Sequence, residues 1–284
     1  MKPRYDLQIK SPKSLHQASD FLNAVGLHCN LLPEYTPMKW GWFEPLKESF
    51  DVQNLNILLN ETGGTENVWW KCAGVNKADG EWMKRWKSRV EYLKDTHSTI
   101  GLAVYDDKYE EKLLEYLRVA SKESRADFGY LDSVSAKYAP FAMSADWSTW
   151  TRRGDLRTCY LSVTTHTLRH WLPDLPWSVV FGPAYVRMFG KERLLSTPVY
   201  RVDSIADELV FLQLTPKMED IHEKYDEVME ARAVAKKHLG EECFFKPELA
   251  YDYKVSIFNK LTAEEIEAKR GKVFRVPEFE LEPE

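Results

Sequence analysis

The segment that most constrains the fold lies at residues 175–195, which read LPWSVVFGPAYVRMFGKERLL. A short apolar run ends at Phe181, which predicts a buried strand or strand end. Gly182 permits either a positive φ or a close approach of two backbones. Pro183 suits the first position of a helix, because its missing N–H group would have no partner there. The residues therefore predict a strand, a tight junction and the start of a helix.

The second half of the segment predicts how that helix packs and ends. Tyr185 and Phe189 are four residues apart, so both fall on one helical face. Gly190 supplies the C-terminal turn. Trp177 is a large ring that fits near the junction. The motif from Phe181 to Gly190 holds no nucleophile and no base, so a structural role is predicted for its marker residues. These are Trp177, Phe181, Gly182, Pro183, Tyr185 and Gly190.

Apolar residues at helical spacing predict further helices. Their ranges are 15–25 with a Ser14/Gln17 capping box and a stop at Gly26, 107–121 starting at Asp107, 217–239 started by Thr215 and Pro216 and ended by Gly240, and a short helix started by Thr262 and ended by Gly271.

Alternating or continuous apolar runs predict the strands. Their ranges are 5–10, 68–72, 128–133, 159–165, 198–202 and 208–214, with a hairpin over 89–105 and an exposed loop over 73–81. Strands and helices mix without a regular βαβ rhythm, which favours an α+β fold over a doubly wound sheet. We expect a single domain over residues 1–284, with a mainly antiparallel or mixed sheet, and an acidic extended tail at about 272–284.

Charge and composition restrict the function classes. The net charge is -5, and a nucleic-acid-binding protein usually shows a basic stripe, so no nucleic-acid partner is expected. An acidic protein suits a basic protein partner, because opposite potentials steer association. The N-terminus lacks the apolar region of a signal peptide, and no run is long enough for a membrane span. Four widely spaced cysteines suit free thiols in a reducing compartment, so we expect a cytoplasmic protein with no membrane partner.

The sequence holds none of the common catalytic or cofactor motifs, such as HExxH, GxSxG or a phosphate-binding glycine loop. His166 and His170 are four residues apart and could share a metal, but nothing marks a third ligand. The carboxylates Asp127, Asp132, Asp146 and Asp155 could converge in space. We therefore expect no enzyme activity, no metal and no cofactor, and an enzyme with a non-sequential His/carboxylate site remains an alternative.

Three groups of aromatic or acidic residues are predicted to be exposed and are candidates for contact with a partner protein. The candidates are Trp40, Trp42 and Glu44; Asp79, Glu81 and Trp82; and Glu223, Glu227 and Glu230. The pair Trp147 and Trp150 is either an exposed platform or a lid over the core.

The segment from Leu175 to Val202, followed by ELVFLQLT and a long helix, resembles the immunity protein 52 family and related type VI immunity proteins. The residues that carry the resemblance are Trp177, Phe181, Gly182, Pro183, Tyr185, Gly190, Leu194 and Leu195. The match covers about residues 140–240, and only an aromatic loop and the strand near Trp69 and Trp70 extend it into the first half.

This resemblance implies an α+β protein encoded beside a toxin of a type VI or polymorphic secretion system. It implies a restriction-endonuclease-like nuclease as the toxin, and an immunity protein that blocks it by binding, without catalysis. An adaptor or scaffold of the secretion machinery is a further alternative. The sequence leaves open the toxin, the contact surface, the mode of inhibition and the oligomeric state.

Overall fold

A computed structural model of the chain describes residues 4–42, 44–51, 53, 67–74, 77–84, 96–106, 108–134, 141–142, 152–153, 156–157, 161–169, 171–244 and 276–282. Within these residues the fold is α+β, as predicted. A ten-stranded sheet, antiparallel throughout, forms its centre and helices pack against it.

The strands are β1 (Arg4–Ser11), β2 (Lys39–Gly41), β3 (Glu48–Ser49), β4 (Asn67–Cys72), β5 (Ala78–Met83), β6 (Ser98–Val104), β7 (Phe128–Val134), β8 (Phe141–Ala142), β9 (Arg152–Arg153), β10 (Leu156–Arg157), β11 (Leu161–Ser162), β12 (Ser178–Phe181), β13 (Arg201–Ala206) and β14 (Leu209–Gln213). The large sheet has the order β13-β14-β12-β7-β1-β6-β5-β4-β2-β3. Two short pairs, β9 with β10 and β8 with β11, lie outside it.

The helices are α1 (Ala18–Leu31), α2 (Glu110–Glu123), α3 (Thr165–Leu168), α4 (Pro183–Phe189), α5 (Lys191–Leu195), α6 (Asp220–Glu223) and α7 (Tyr225–Leu239). Two 3₁₀ helices span Pro33–Tyr35 and Glu241–Cys243. None of the helices in the described part of the chain combines the length and apolarity that a membrane crossing requires.

The alternation of side chains along β1 defines two faces of the sheet. Tyr5, Leu7 and Ile9 point to one face and are buried, and their partners on β6 continue this apolar face. Helices α1 and α2 cover it: the ring of Phe21 on α1 meets Trp82 edge-on at 6.1 Å. The intervening residues Asp6, Gln8 and Lys10 point to the opposite face, which is polar on this strand.

A cluster of packed aromatic rings fills the space between α1 and the apolar face of β4 and β5. His28 lies 4.7 Å from the ring of Trp70 and 6.0 Å from that of Trp82. Its Nε2 atom is 3.1 Å from the carbonyl oxygen of Tyr35. Trp40 and Trp82 are 3% and 0% exposed, so the expectation that these two tryptophans are exposed contact residues is wrong. Each occupies a strand position that faces the helices, where burying a large ring stabilises the fold.

The polar face is covered in only one half of the sheet. Tyr185 of α4 packs on Phe128 of β7 and Phe181 of β12, with ring centroids 5.8 and 5.4 Å apart. Over β1, β6, β5 and β4 the same face borders a cavity of about 650 Å³. This uncovered half holds the candidate site.

The 175–195 segment forms strand β12, a tight junction and helix α4 in that order. Gly182 N donates to Asp127 O at 2.9 Å. A Cβ atom on Gly182 would lie 1.9 Å from Ala126 O, so the glycine is needed for close approach. Helix α4 begins at Pro183, and Gly190 ends it with φ +87°.

Trp177, the ring predicted near this junction, is fully buried, and its indole nitrogen donates to Thr215 Oγ1 at 2.9 Å. It is thereby held between β12 and the end of β14.

Several predicted boundaries are wrong, for local reasons. Helix α1 runs through Gly26, where nothing approaches, and Gln17 rather than a Ser14/Gln17 box precedes it. The helix predicted at 217–239 is broken at Lys224, whose φ and ψ are -123° and 43°. Its first part, α6, begins at Asp220, so Thr215 caps no helix. Helix α2 begins at Glu110 rather than 107.

Two predicted segments of irregular or extended chain also differ. The predicted loop at 73–81 contributes strand β5, because Ala78, Gly80 and Trp82 alternate toward the apolar face. Of the strand predicted at 159–165, residues 161–162 form β11 and helix α3 begins at Thr165, while residues 159–160 lie outside the described residues. Residues 89–95 of the predicted hairpin, the helix near Thr262, and Trp147 and Trp150 lie outside the described residues.

Candidate functional site

The cavity on the polar sheet face is lined by ionisable side chains, and we call it the carboxylate pocket. Its lining includes Arg4, Asp6, Gln8, Glu44, Trp69, Lys71, Lys77, Asp79, Glu81 and Tyr105. Strand register explains the grouping: Asp6 pairs with Ala103, which pairs with Asp79 on the next strand. Side chains at these positions share one face, so β1 and β5 place their carboxylates on the same side of the sheet with β6 between them.

Asp6 is the most buried acid of the pocket, at 3% exposure. Its Oδ1 atom accepts a hydrogen bond from Arg4 Nε at 2.8 Å. Its Oδ2 atom has no hydrogen-bond partner among the described residues. Burial raises the pKa of Asp6 to about 6, Arg4 opposes this, and Asp79 adds to it. Asp6 is therefore a half-satisfied carboxylate that is still mostly ionised at neutral pH.

Glu81 reaches across the sheet above Gly101. A Cβ atom on Gly101 would lie 3.0 Å from Glu81 Cγ, so the missing side chain leaves the room that Glu81 occupies. The Oε2 atom of Glu81 is buried and has no hydrogen-bond partner in the described part of the chain. Burial raises the pKa of Glu81, and the positive charge of Lys10 counteracts that rise.

Lys10 is 6% exposed and donates to Thr99 Oγ1 at 2.9 Å. Burial lowers its pKa to about 8, while Glu81 opposes the shift. Lys10 and Glu81 act on each other through charge, and the buried Oε2 atom of Glu81 has no hydrogen-bond partner among the described residues.

The outer part of the pocket carries Asp79, Tyr105 and Trp69. Tyr105 donates its hydroxyl proton to Asp79 Oδ1 at 2.6 Å. Burial raises the pKa of Tyr105 to about 12, and the bond to Asp79 adds to this. Trp69 is 40% exposed and sits directly opposite Glu81 in the β4–β5 register. The pocket therefore combines buried negative charge with an exposed aromatic ring.

The structure brings together only part of the predicted contact residues. Glu44, Asp79 and Glu81 line the carboxylate pocket, whereas Trp40 and Trp82 are core residues. Trp42 is 38% exposed and packs against Trp40. The acidic candidates of α6 and α7 are exposed and do not line the pocket: Glu223, Glu227 and Glu230.

Sequence reasoning missed Asp6 and the functional potential of Trp69. The available signal was the alternation in β1, where Asp6, Gln8 and Lys10 occupy every second position. An alternating strand predicts a polar face. It does not predict that this face lies in a pocket, because that depends on pairing with β6 and β5.

A second polar cluster lies inside the fold. The two ring nitrogens of His97 contact Thr165 Oγ1 and Asp127 Oδ2, each at 3.0 Å. All three residues are at most 4% exposed, and the ring of Phe279 meets His97 edge-on at 4.6 Å. Burial lowers the pKa of His97, although the bond to Asp127 opposes this. The cluster is a satisfied buried network covered by the C-terminal segment.

His166 lies in α3, and His170 lies outside the described residues, as do Asp146 and Asp155. Across the described ranges, no three His, Cys, Asp or Glu side chains are grouped as a metal site would require.

No protein-family model and no curated protein matches the chain. Among solved structures it is similar to the Pseudomonas aeruginosa T6SS protein PA0821, with a TM-score of 0.49 and 11% identity over 93% of this chain and 88% of that chain. This similarity is too weak to transfer a residue role or an activity. The specific assignment to the immunity protein 52 family stays a prediction.

Proposed function

We propose that this chain is a cytoplasmic immunity protein that neutralises a cognate secreted nuclease toxin of a type VI or polymorphic system by binding it one to one. The binding surface is the carboxylate pocket with the exposed ring of Trp69. Inhibition needs no catalysis by the chain itself. The partner is a protein with a basic surface, because the pocket offers it buried negative charge.

The observation that carries this proposal is the half-satisfied state of Asp6. A buried acceptor without a partner destabilises a protein by about 1–3 kcal/mol, and more when it is charged. Such a group persists where function requires it. Asp6 Oδ2 and Glu81 Oε2 have almost no accessible surface, so a partner's cation would act on them through charge across the pocket and would stabilise the buried negative charge.

The 175–195 segment supports the same division of roles. Its marker residues Trp177, Phe181 and Tyr185 are buried in the core and cannot touch a partner. The resemblance to immunity proteins thus rests on scaffold residues, and the contact surface lies elsewhere. An uncovered, ionisable sheet face is a suitable place for it, since opposite potentials steer a basic protein toward it.

Coexpression with the protein encoded by the adjacent gene tests the function. We expect expression of that gene alone to arrest growth and coexpression of this chain to restore it. Native mass spectrometry should show a one-to-one complex of the two proteins. An adaptor would form the complex and still permit toxicity. Persistent toxicity at full expression, with no complex, would contradict the proposal.

The geometry of His97, Asp127 and Thr165 favours one alternative, an enzyme that uses the threonine hydroxyl as a nucleophile. A substrate would first have to displace the segment around Phe279, because the cluster is buried beneath it. Hydrolysis of p-nitrophenyl acetate that is lost in Thr165→Val would support this alternative. Equal rates in the two proteins would count against it.

A further inference from the structure

Strand β13 forms one edge of the large sheet. Among the described residues it pairs only with β14 and is the last strand in the sheet order. Every residue of the strand is at least partly exposed. An edge strand presents outward-facing N–H and C=O groups that can pair with another chain. This edge is therefore an accessible surface for strand pairing.

The bonding of the neighbouring strands shows which groups of β13 face outward. Leu214 N donates to Trp177 O at 2.8 Å, so even-numbered residues of β14 bond toward β12 and odd-numbered ones toward β13. In the β13–β14 register, odd-numbered residues face each other, as Arg201 faces Gln213. The backbone N–H and C=O groups of Val202 therefore point away from the sheet.

The side chains beside Val202 carry charges of opposite sign. Arg201 and Asp203 lie on one face of the strand, and Arg201 Nε is 2.7 Å from Asp203 Oδ2. Their side chains remain 41% and 32% exposed, so both are accessible to another molecule. A strand with this order of charges complements itself when a second copy runs in the opposite direction.

We infer that β13 pairs antiparallel with β13 of a second copy of this chain, about a two-fold axis at Val202. The two copies of Val202 exchange two hydrogen bonds, and each Arg201 lies opposite Asp203 of the other copy. These charged positions are the non-hydrogen-bonded pairs, where side chains approach most closely. Such a two-fold contact uses the same surface on both molecules.

The charges also select this register over its neighbours. An axis at Arg201 would place two arginines opposite each other, and an axis at Asp203 would place two aspartates opposite each other. Like charges directly opposite destabilise a strand pair, whereas opposite charges stabilise it. The register centred on Val202 is therefore favoured.

Tyr200, which directly precedes β13, is covered in the same arrangement. Its side chain is 59% exposed, more than any other large apolar side chain of the described residues. In the register centred on Val202 it stands opposite Ser204 of the second copy and diagonal to that copy's Val202. Aromatic side chains reach diagonal neighbours across a strand pair. Pairing would thus remove from water a ring that the monomer exposes.

Pairing through β13 leaves the carboxylate pocket accessible. Three strands, β14, β12 and β7, lie between β13 and β1, the nearest strand of the pocket. Each copy keeps its own pocket, so a toxin complex would retain one toxin for each copy. The inference does not depend on the proposed function, because self-association is measured on this chain alone.

Sedimentation velocity of the full chain over a series of concentrations tests the inference. We expect a reversible monomer–dimer equilibrium. Arg201→Asp and Asp203→Arg each place like charges opposite one another at both ends of the pairing. Each should therefore raise the dimer dissociation constant by about tenfold or more. Lys47→Asp is the matched control, because Lys47 is exposed in the loop before β3, at the other edge of the sheet. The control should dimerise like the unaltered chain.

Mixing the two charge variants tests the register. In the mixed dimer, opposite charges again face each other at both positions, so an equimolar mixture of Arg201→Asp and Asp203→Arg should dimerise. This recovery also shows that both variants are folded. The amide of Val202 should exchange slowly with solvent in the dimer and rapidly in either variant alone, as followed by NMR.

Four results would overturn the inference. They are a monomer at all concentrations, unchanged dimerisation in both single variants, no association in their mixture, and a Val202 amide that is equally protected in the separate variants. The last result would mean that the chain's own residues cover this edge. A monomeric chain whose β13 amides become protected only on toxin binding would assign the edge to the toxin instead.

Discussion

Arg4 and Asp6 lie two residues apart on the same face of β1 and are joined by a hydrogen bond of 2.8 Å. The bond uses one oxygen of the carboxylate, and the second oxygen has no hydrogen-bond partner in the part of the chain that the structure describes. The free protein therefore contains a buried negative charge that its own residues neutralise incompletely. This relationship determines how stability should depend on pH.

The variant Asp6→Asn should gain stability relative to the unaltered chain as the pH rises. The pKa of Asp6 is raised from 3.8 to about 6 in the folded state. The folded protein therefore binds this proton more tightly than the unfolded chain does. The stability that this adds is present below about pH 4 and is lost as the pH rises through 6. Urea unfolding should show the difference between variant and unaltered chain shifting by about 2.5 kcal/mol in favour of Asn from pH 4 to pH 8.

A pH-independent difference between the two proteins would contradict the assignment of Asp6 as a strained carboxylate. The exposed pair Glu111→Gln and Glu115→Gln serves as the control for a general change in net charge. The groups around Asp6 that could shift the midpoint are Arg4, Asp79, Tyr130 and Asp132.

His28 should produce a pH effect of opposite sign. Burial lowers its pKa from 6.5 to about 4, and the hydrogen bond to Tyr35 opposes this only in part. The unfolded chain binds the proton more tightly, so stability falls as the pH drops from above 6.5 to about 4. His28→Gln removes this contribution of about 3 kcal/mol between pH 8 and pH 4, while its packing loss is the same at both values. The free energy of unfolding of both proteins is measured by urea unfolding across this pH range. Parallel pH profiles for the two proteins would refute the assignment.

Gly182→Ala should destabilise the fold strongly. The new methyl group would lie 1.9 Å from Ala126 O and 2.7 Å from Asp127 Cα, and both are backbone atoms. Separating β12 from the turn before β7 should reduce the free energy of unfolding by about 3 kcal/mol. Gly26→Ala is the matched control, because nothing lies within 4 Å of its added Cβ inside α1. The control should be more stable by about 0.5–1 kcal/mol, and a similar result for both variants would show that close approach is not the reason for Gly182.

The Gly182 junction also shows how much the sequence could predict. The order of residue types at 181–190 was sufficient for a strand end, a proline-started helix and a glycine stop, since each is a local preference. The α+β class followed from the irregular mixture of patterns. The break at Lys224 and the extension of α1 through Gly26 depend on tertiary packing, which local spacing does not record.

The candidate site was less predictable because it is assembled by register. The sequence predicts Glu44, Asp79 and Glu81 as acidic loop residues, whereas the structure places Asp79 and Glu81 in strand β5. Asp6 joins them from a strand more than seventy positions earlier in the chain, through the pairings of β1 with β6 and β6 with β5. The sequence alone does not show whether Trp40 and Trp82 are buried or exposed, because composition does not separate core aromatics from interface aromatics.

The acidic residues of α6 and α7 should influence the rate of association more than the lifetime of the complex. Arg232 of α7 lies 3.8 Å from Asp132, and Asp132 pairs with Asp6, so the helix flanks the face that carries the pocket. Reversing Glu223, Glu227 and Glu230 to lysine should slow association and reduce its salt dependence, with little change in the dissociation rate. Surface plasmon resonance at two salt concentrations measures both rates. A large increase in the dissociation rate would place these residues inside the contact.

The affinity of the purified one-to-one complex with the adjacent-gene toxin tests the central claim most directly. We expect Asp6→Asn combined with Glu81→Gln to raise the Kd by at least about 30-fold, since removing one partner of a buried charge pair costs about 2 kcal/mol or more. The exposed control pair Glu111→Gln and Glu115→Gln should leave the Kd unchanged. A toxin that does not bind the unaltered chain, or a Kd that is the same in the pocket variant and the control, would contradict the account.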